Sequence, residues 1–309
     1  MEDRYQKIIV AMDPQHEALA TLETATNLAL QHDASVTVVD TVRAPSRSSL
    51  FFSANAEDVF KMIVADKQER LKKTTETFRN LGVKAESKLL HGKSSEAITR
   101  EAVEQSSDLV IRYMKGAQSR YPGLFGNTAR NLMRICPAPL LFVGDKPIQN
   151  PKVVACVNAE HADAENSAIF SNAEKMANAA DDLSAIYCWC VPGQKYMKHY
   201  LSEQSFEETL KESTAVYRKL FEQLREKHAP TYFDDRIFCE HGEAVDVIPA
   251  FCREENIDIV VMSSASQTHP VRRLLGSTIE SVIDKIPCAL LVVKQDDFVC
   301  PIKLETAGN

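Results

Sequence analysis

The chain has 309 residues, 44% of them apolar, and a formal net charge of −7. That length predicts two domains of about 150 residues each, and an acidic chain with no long basic block excludes a general electrostatic grip on nucleic acid. No apolar run approaches the ~20 residues of a membrane span, and MEDRYQKIIVAMD has neither the basic region nor the cleavage site of a secretory signal, so a cytoplasmic location is expected.

In chain order, KIIVAMD (7–13) predicts a buried first strand. EALATLETATNLALQHD follows, with apolar residues at three- and four-residue steps, which predicts an amphipathic helix. ASVTVVDTV is a second strand, and a long charged helix covers roughly 56–81. A third strand ends at His91-Gly92, and a helix starts at once, with Ser94 or Ser95 as its expected cap. Asp108 precedes the fourth strand, DLVIRY; after a loop, Gly126 opens the last helix and PLLFV (139–143) is the fifth strand.

GDKPIQNP (144–151) carries two prolines and a glycine and predicts a linker. Beyond it the pattern recurs: KVVACVN (152–158), LSAIYCWCV, a charged helix at 202–227, HGEAVDVI, DIVVMS, Gly276 and ALLVV (289–293). His241, Asp258 and Gly276 each lie 150 positions after His91, Asp108 and Gly126, and Lys152 lies 145 after Lys7. Matches in the same order and spacing indicate a duplicated domain rather than a short-period solenoid. Boundaries at 1–146 and 150–297 are expected, with 298–309 as a tail. Short Val/Ile/Leu-rich strands alternating with helices predict the α/β class, each half a Rossmann-like, doubly wound, parallel five-stranded sheet.

Eight cysteines fall mostly in apolar runs, as small buried hydrophobes of a reducing compartment do. Cys188-Trp189-Cys190 lacks the spacing of a metal or redox motif. No Ser/His/Asp order stands out, and GKSSEA from Gly92 lacks the first glycine that a P-loop places upstream. No enzyme is indicated beyond slow nucleotide hydrolysis.

Ligands of doubly wound sheets collect beyond the carboxyl ends of the strands. The residues expected there are Asp13 or Asn158 at the end of the first strand, the loop after the fourth, and the helix starts Gly126-Asn127-Thr128 and Gly276-Ser277-Thr278. Free N–H groups at a helix start suit a phosphate. Each residue also has a plain structural reading. Asp13 before Pro14 would cap a helix, Gly126 and Gly276 would allow close packing, and Asp108 and Asp258 would be turn residues. His91 and His241 would belong to a shared turn, and Arg120, Arg272 and Arg273 would be solvated loop charges or phosphate contacts.

This layout resembles the universal stress protein family in its tandem form, over about 5–146 and 150–297. The resemblance implies a first-strand aspartate beside the nucleoside and a motif, Gly-x2-Gly-x9-Gly-Ser/Asn, that binds the phosphates and ribose of ATP. The first half matches as Tyr113-x2-Gly116-x9-Gly126-Asn127, with Asp13 present. The second matches as Ser263-x2-Ser266-x9-Gly276-Ser277, with Asn158 in place of the aspartate. Thr41 or Cys188, near the end of the second strand, would touch adenine. A motif glycine with positive φ is not freely replaced by Tyr or Ser, and Tyr113 would fill phosphate space. The first half is therefore the better expected site for ATP, with no metal beyond the Mg that accompanies it.

The resemblance further implies a stress-response role and an internal pseudo-dimer, with PLLFV and ALLVV meeting within one chain; a further homodimer stays open. Two readings stand. One is an ATP-responsive binding and regulatory protein with at least one degenerate site, read by a protein partner. The other is a scaffold, or a binder of an apolar small molecule, with both ATP sites lost.

Overall fold

The computed structural model describes residues 4–12, 19–45, 56–114, 125–159, 163–191, 193–228, 236–264, 275–295 and 297–302. The chain divides into two units, Met1–Gln149 with Asp297–Asn309, and Asn150–Asp296.

The first unit runs β1 (Lys7–Ala11), α1 (Leu19–His32), β2 (Ser35–Val42), α2 (Ala56–Asn80), β3 (Ala85–His91), α3 (Ser94–Gln105), β4 (Leu109–Tyr113), α4 (Asn127–Ile135) and β5 (Leu140–Val143). Its strands pair in parallel in the order β3-β2-β1-β4-β5. Strand order reverses between β1 and β4, which makes their carboxyl ends the switch point of this sheet. The central strands are buried on both faces, and β5 is buried at every residue. Edge strand β3 is mostly exposed and carries Glu86 and Lys88, charges that blunt an open edge.

The second unit repeats this plan. Its elements are β6 (Val153–Val157), α5 (Asp163–Met176), β7 (Leu183–Trp189), α6 (Gln194–Tyr200), α7 (Glu203–His228), β8 (Ile237–His241), α8 (Ala244–Glu254), β9 (Ile259–Ser263), α9 (Ser277–Val282) and β10 (Ala289–Val293). The parallel order is β8-β7-β6-β9-β10. A short 3-10 turn, Ala180–Asp182, leads into β7. Residues 297–302 return to the first unit, where the Cys300 thiol donates to the Ile135 carbonyl at 3.4 Å.

Two repeated residues gain a specific task. The Asp108 carboxylate accepts the backbone N–H groups of Gln6 and Lys7 at 2.8 and 2.9 Å, tying the start of β4 to that of β1. Asp258 accepts the N–H of Lys152 at 2.9 Å in the same way. In the repeated His-Gly, the turn depends on the glycine. Gly92 and Gly242 donate to the carbonyls of Val42 and Trp189 at 2.9 and 2.8 Å, with φ of 120° and 149°. A Cβ on Gly242 would stand 2.6 Å from Val247 Cγ2. Gly242→Ala should therefore cost about 1–3 kcal/mol through backbone strain and crowding. Urea unfolding measures it; an unchanged midpoint would show that the turn tolerates a side chain.

Candidate functional site

Helix α4 ends at Ile135 and is followed by the amino end of β5, so it runs back along the sheet and begins on the carboxyl side. Gly126 is its N-cap, at φ −60° and ψ 158°, with no side-chain cap. The first bond of the helix is Arg130 N–H to the Gly126 carbonyl, 3.2 Å. The N–H groups of Asn127, Thr128 and Ala129 thus precede the intrahelical ladder and point out of the helix start. Gly126 and Asn127 are exposed and Thr128 is half-buried. A Cβ on Gly126 would meet no heavy atom of the described residues within 4 Å, and its φ is open to any residue, so among the described residues neither packing nor backbone strain calls for glycine here.

Tyr113 and Ser263 correct the expectation built on positive φ. Both end ordinary strands, and neither is among the residues with positive φ. Tyrosine at this position carries no backbone penalty, and the Tyr113 hydroxyl donates to Asp145 Oδ1 at 2.7 Å, just past β5.

The second unit closes the corresponding places. Helix α9 has only six residues, and Gly276 is buried, with its N–H donating to the Ser264 carbonyl at 3.4 Å. Ser277 and Thr278 are exposed. At the end of β6 the Asn166 side chain clasps the backbone of Asn158, accepting its N–H at 3.1 Å and donating to its carbonyl at 2.9 Å. The hydroxyl of Ser264, 2% exposed, finds no hydrogen-bond partner among the described residues.

At the end of β2, the Thr41 N–H donates to Asp40 Oδ1 and the Thr41 hydroxyl meets that of Ser94, both at 2.6 Å. Ser94 is thus not the cap of α3; the N-cap is Lys93, with no side-chain bond, and the serine hydroxyl is turned to Thr41. Behind Thr41 lies a buried ion pair. Lys67 on α2 donates to both oxygens of Asp40, at 2.7 and 2.8 Å, and their side chains are 12% and 3% exposed.

The register shows what the second unit has at these positions. Ile8 pairs with Val36 and its match Val153 pairs with Leu183, so Asp40, Thr41 and Val42 match Tyr187, Cys188 and Trp189. Lys67, on the 150-residue repeat, matches Tyr217. The ion pair is replaced by a ring contact, Tyr187 to Tyr217 at 6.3 Å. Phe221 stacks on Tyr187 at 5.7 Å, and Trp189 stacks on Tyr217 at 4.8 Å and meets His241 at 4.6 Å. His241 Nε2 lies 2.9 Å from Gln194 Oε1. Burial pushes the Cys188 thiol up to about 12.

A second exchange of this kind stands toward the other end of the sheet. Lys88 and Glu101 form a 2.7 Å ion pair, with Glu101 5% exposed, and that hydrogen bond lifts the Lys88 ammonium above its ordinary value. The matched Phe238 and Phe251 meet edge to face at 4.8 Å. Sequence reasoning missed both ion pairs. The signal was available: at two matched position pairs, charges of opposite sign in one half face aromatic residues in the other.

Thr41 thus lies at the end of β2 and Gly126-Asn127-Thr128 at the start of α4, all on the carboxyl side of one sheet. Asp13, Gly116, Arg120, Ser266, Arg272 and Arg273 lie outside the described residues. Among the described residues no helix is long and apolar enough to cross a membrane, and no three His, Cys, Asp or Glu side chains are grouped to hold a metal.

The model of the universal stress protein family matches residues 4–144 and 152–294. Universal stress protein E of Photorhabdus laumondii is 23% identical over 309 residues, covering 97% of this chain and 98% of that one. Universal stress protein E homolog of Haemophilus influenzae is 22% identical over 307 residues, covering 94% and 98%. Among solved structures, a chain from Pseudomonas aeruginosa UCBPP-PA14 superposes with a TM-score of 0.70 at 19% identity, over 95% of this chain and 94% of that one. A universal stress protein from Archaeoglobus fulgidus gives a TM-score of 0.65 at 16% identity, over 93% and 98%. At these identities the solved structures establish the fold alone.

Proposed function

We propose that this chain, which belongs to the universal stress protein family, is a nucleotide-responsive binding protein whose first unit takes ATP and whose second unit does not. The observation that carries this reading is the helix start at Gly126: exposed, with no side chain of its own to cap the helix, and, among the described residues, with no heavy atom within 4 Å of where a Cβ would stand. Its counterpart, Gly276, is buried with its N–H engaged.

The outward N–H groups of Asn127, Thr128 and Ala129 would receive phosphate oxygens, helped by the positive end of the helix dipole. The Asn127 and Thr128 side chains would add hydrogen bonds to phosphate or ribose. Thr41, held by Asp40 and Ser94, would border the adenine. Asp13 and Gly116 join this site by family resemblance. Mg would accompany the nucleotide. No base is placed to activate water among these groups, so the bound nucleotide would act as a signal read by a protein partner in a stress response. The ring cluster of the second unit favours a different role for that unit, a nucleotide-independent scaffold or a seat for an apolar molecule.

Calorimetric titration with MgATP tests the reading. Gly126→Val should weaken binding about 10- to 100-fold, as the new side chain blocks close approach and costs one or two hydrogen bonds. The backbone at Gly126 accepts valine without strain, so the fold should survive. Gly276→Val should leave affinity unchanged. A wild-type protein with no bound nucleotide after purification and no heat on titration would overturn the proposal.

A further inference from the structure

The first unit has a cavity at the amino ends of its strands, away from the candidate nucleotide site. It has a volume of about 490 Å³ and lies between the starts of β1, β2 and β3 and the last turn of α3. Its charged lining is Lys7, Lys84, Lys88, Glu86 and Glu104. Packing alone does not account for these charges. On the 150-residue repeat, the second unit has Arg236, Phe238 and Phe251 where the first has Glu86, Lys88 and Glu101, and its two rings meet edge to face. The first unit instead buries the Glu101 carboxylate, 4% exposed, and holds it with Lys88 and Gln105. A buried carboxylate is costly where an aromatic pair serves the twin, so the polar lining has a second use.

Two rows of groups face this cavity. Lys7 pairs with Ser35, and the pair Val36–Ala85 sets Lys84 on the other side of Ser35. The Ser35 hydroxyl donates to the Gln6 carbonyl at 3.2 Å, so this row offers two ammoniums. Lys7 uses one N–H on the Gln105 carbonyl at 2.9 Å, and Lys84 meets the exposed Asp33 at 3.6 Å, so each keeps donors for a further acceptor. Two residues further along the strands, Thr37 pairs with Glu86, and Glu104 joins them from α3. The single hydroxyl proton of Thr37 serves Gln105 Oε1 at 3.0 Å rather than Glu86 Oε1 at 3.4 Å. Glu104 has no hydrogen bond or ion pair among the described residues. The second row thus offers two carboxylates to a cation.

We propose that this cavity binds a free dipeptide in extended form, its carboxylate between Lys7 and Lys84 and its ammonium between Glu86 and Glu104. Spacing sets the length of the ligand. Rows two residues apart on parallel strands stand about 6.6 Å apart, and two extended residues span about 6.6–7.2 Å. A single amino acid carries both charges on one carbon and does not reach both rows. A lone anion would meet the two carboxylates and a lone cation the three ammoniums, so the lining selects a ligand with both charges. The cavity leaves room for polar side chains. This site is independent of the nucleotide reading, since it lies at the opposite end of the strands and uses none of the residues assigned to ATP.

The test titrates the full chain with glycylglutamine and follows backbone amide shifts by NMR. Saturable shifts should centre on residues 35–37 and 84–88. Acetylating the amino end of the dipeptide, amidating its carboxyl end, or replacing it with free glutamine should each weaken binding about 10-fold or more, because each loses a charged contact. Glu86→Gln/Glu104→Gln should weaken the dipeptide by a similar factor and bring it level with its acetylated form. Lys84→Met should narrow the gap between the dipeptide and its amide. All three side chains are exposed, so both variants should keep the wild-type circular dichroism. No saturable shift at millimolar dipeptide, shifts centred elsewhere, or equal affinity for the acetylated form, the amide or free glutamine would overturn the proposal.

Discussion

Replacing Lys67 with methionine should cost about 3–5 kcal/mol, although the two side chains have nearly the same length and volume. The loss comes from Asp40, which is 3% exposed and would keep a carboxylate in the interior with its main partner gone. The Thr41 N–H would still donate to it, which does not balance the desolvation of a full charge. Asp40→Leu should be costly for the mirror reason, though less so, because Lys67 is 12% exposed and can extend toward water.

The double variant Asp40→Leu/Lys67→Met should recover most of the loss, since a well-packed apolar pair of similar volume is often as good as a buried ion pair. The second unit shows that these positions accept an uncharged pair, Tyr187 and Tyr217. Tyrosines are not the right graft: Leu71 and Val42 flank the first pair where Phe221 and Trp189 flank the second, so the spaces differ. Urea midpoints for the four proteins complete a double-mutant cycle. Additive losses would show that Asp40 and Lys67 do not act as a pair. Restored stability with weakened MgATP binding would show that Asp40 also positions Thr41.

That ion pair marks the limit of what the sequence discloses. The duplicated layers were legible because buried parallel strands read as continuous apolar runs, and because the charged helices expected at 56–81 and 202–227 are long and periodic; they form as Ala56–Asn80 and Glu203–His228. Asp40, inside SVTVVDTV, looks like a single polar interruption, and its partner is 27 positions away on another element. Only aligning the halves through the strand register exposes the exchange with Tyr187 and Tyr217.

The candidate site divides along similar lines. Gly126-Asn127-Thr128 was legible as a helix start because glycine followed by small polar residues has few other uses there. The backbone at Tyr113 and Ser263 was not, because a motif glycine does not report its φ; in this chain both positions are plain strand ends. The sequence points to Ser94 as a cap because a serine beside a helix start suits that role, whereas its actual hydroxyl partner, Thr41, comes from a distant strand.

Tyr217→Ala should cost the second unit about 3 kcal/mol, more than a half-buried aromatic usually would. The ring stacks on Trp189 at 4.8 Å and meets Tyr187 at a tilt at 6.3 Å, so its removal strips one face from Trp189 and a neighbour from Tyr187, both nearly buried. Such ring pairs contribute about 0.5–1.5 kcal/mol beyond the area they bury. Trp189 is the only tryptophan in the chain, which makes its fluorescence a direct report on this cluster. In the variant, Trp189 emission should shift to longer wavelength in the native state as water reaches the exposed ring face, and the urea midpoint followed by fluorescence should fall. Tyr217→Phe should keep both near wild type, because the stacking and not the hydroxyl holds the rings. A Tyr217→Phe protein as weak as Tyr217→Ala would move the explanation from stacking to a hydrogen bond of the phenol, and with it the view that the second unit has exchanged charge pairing for aromatic packing.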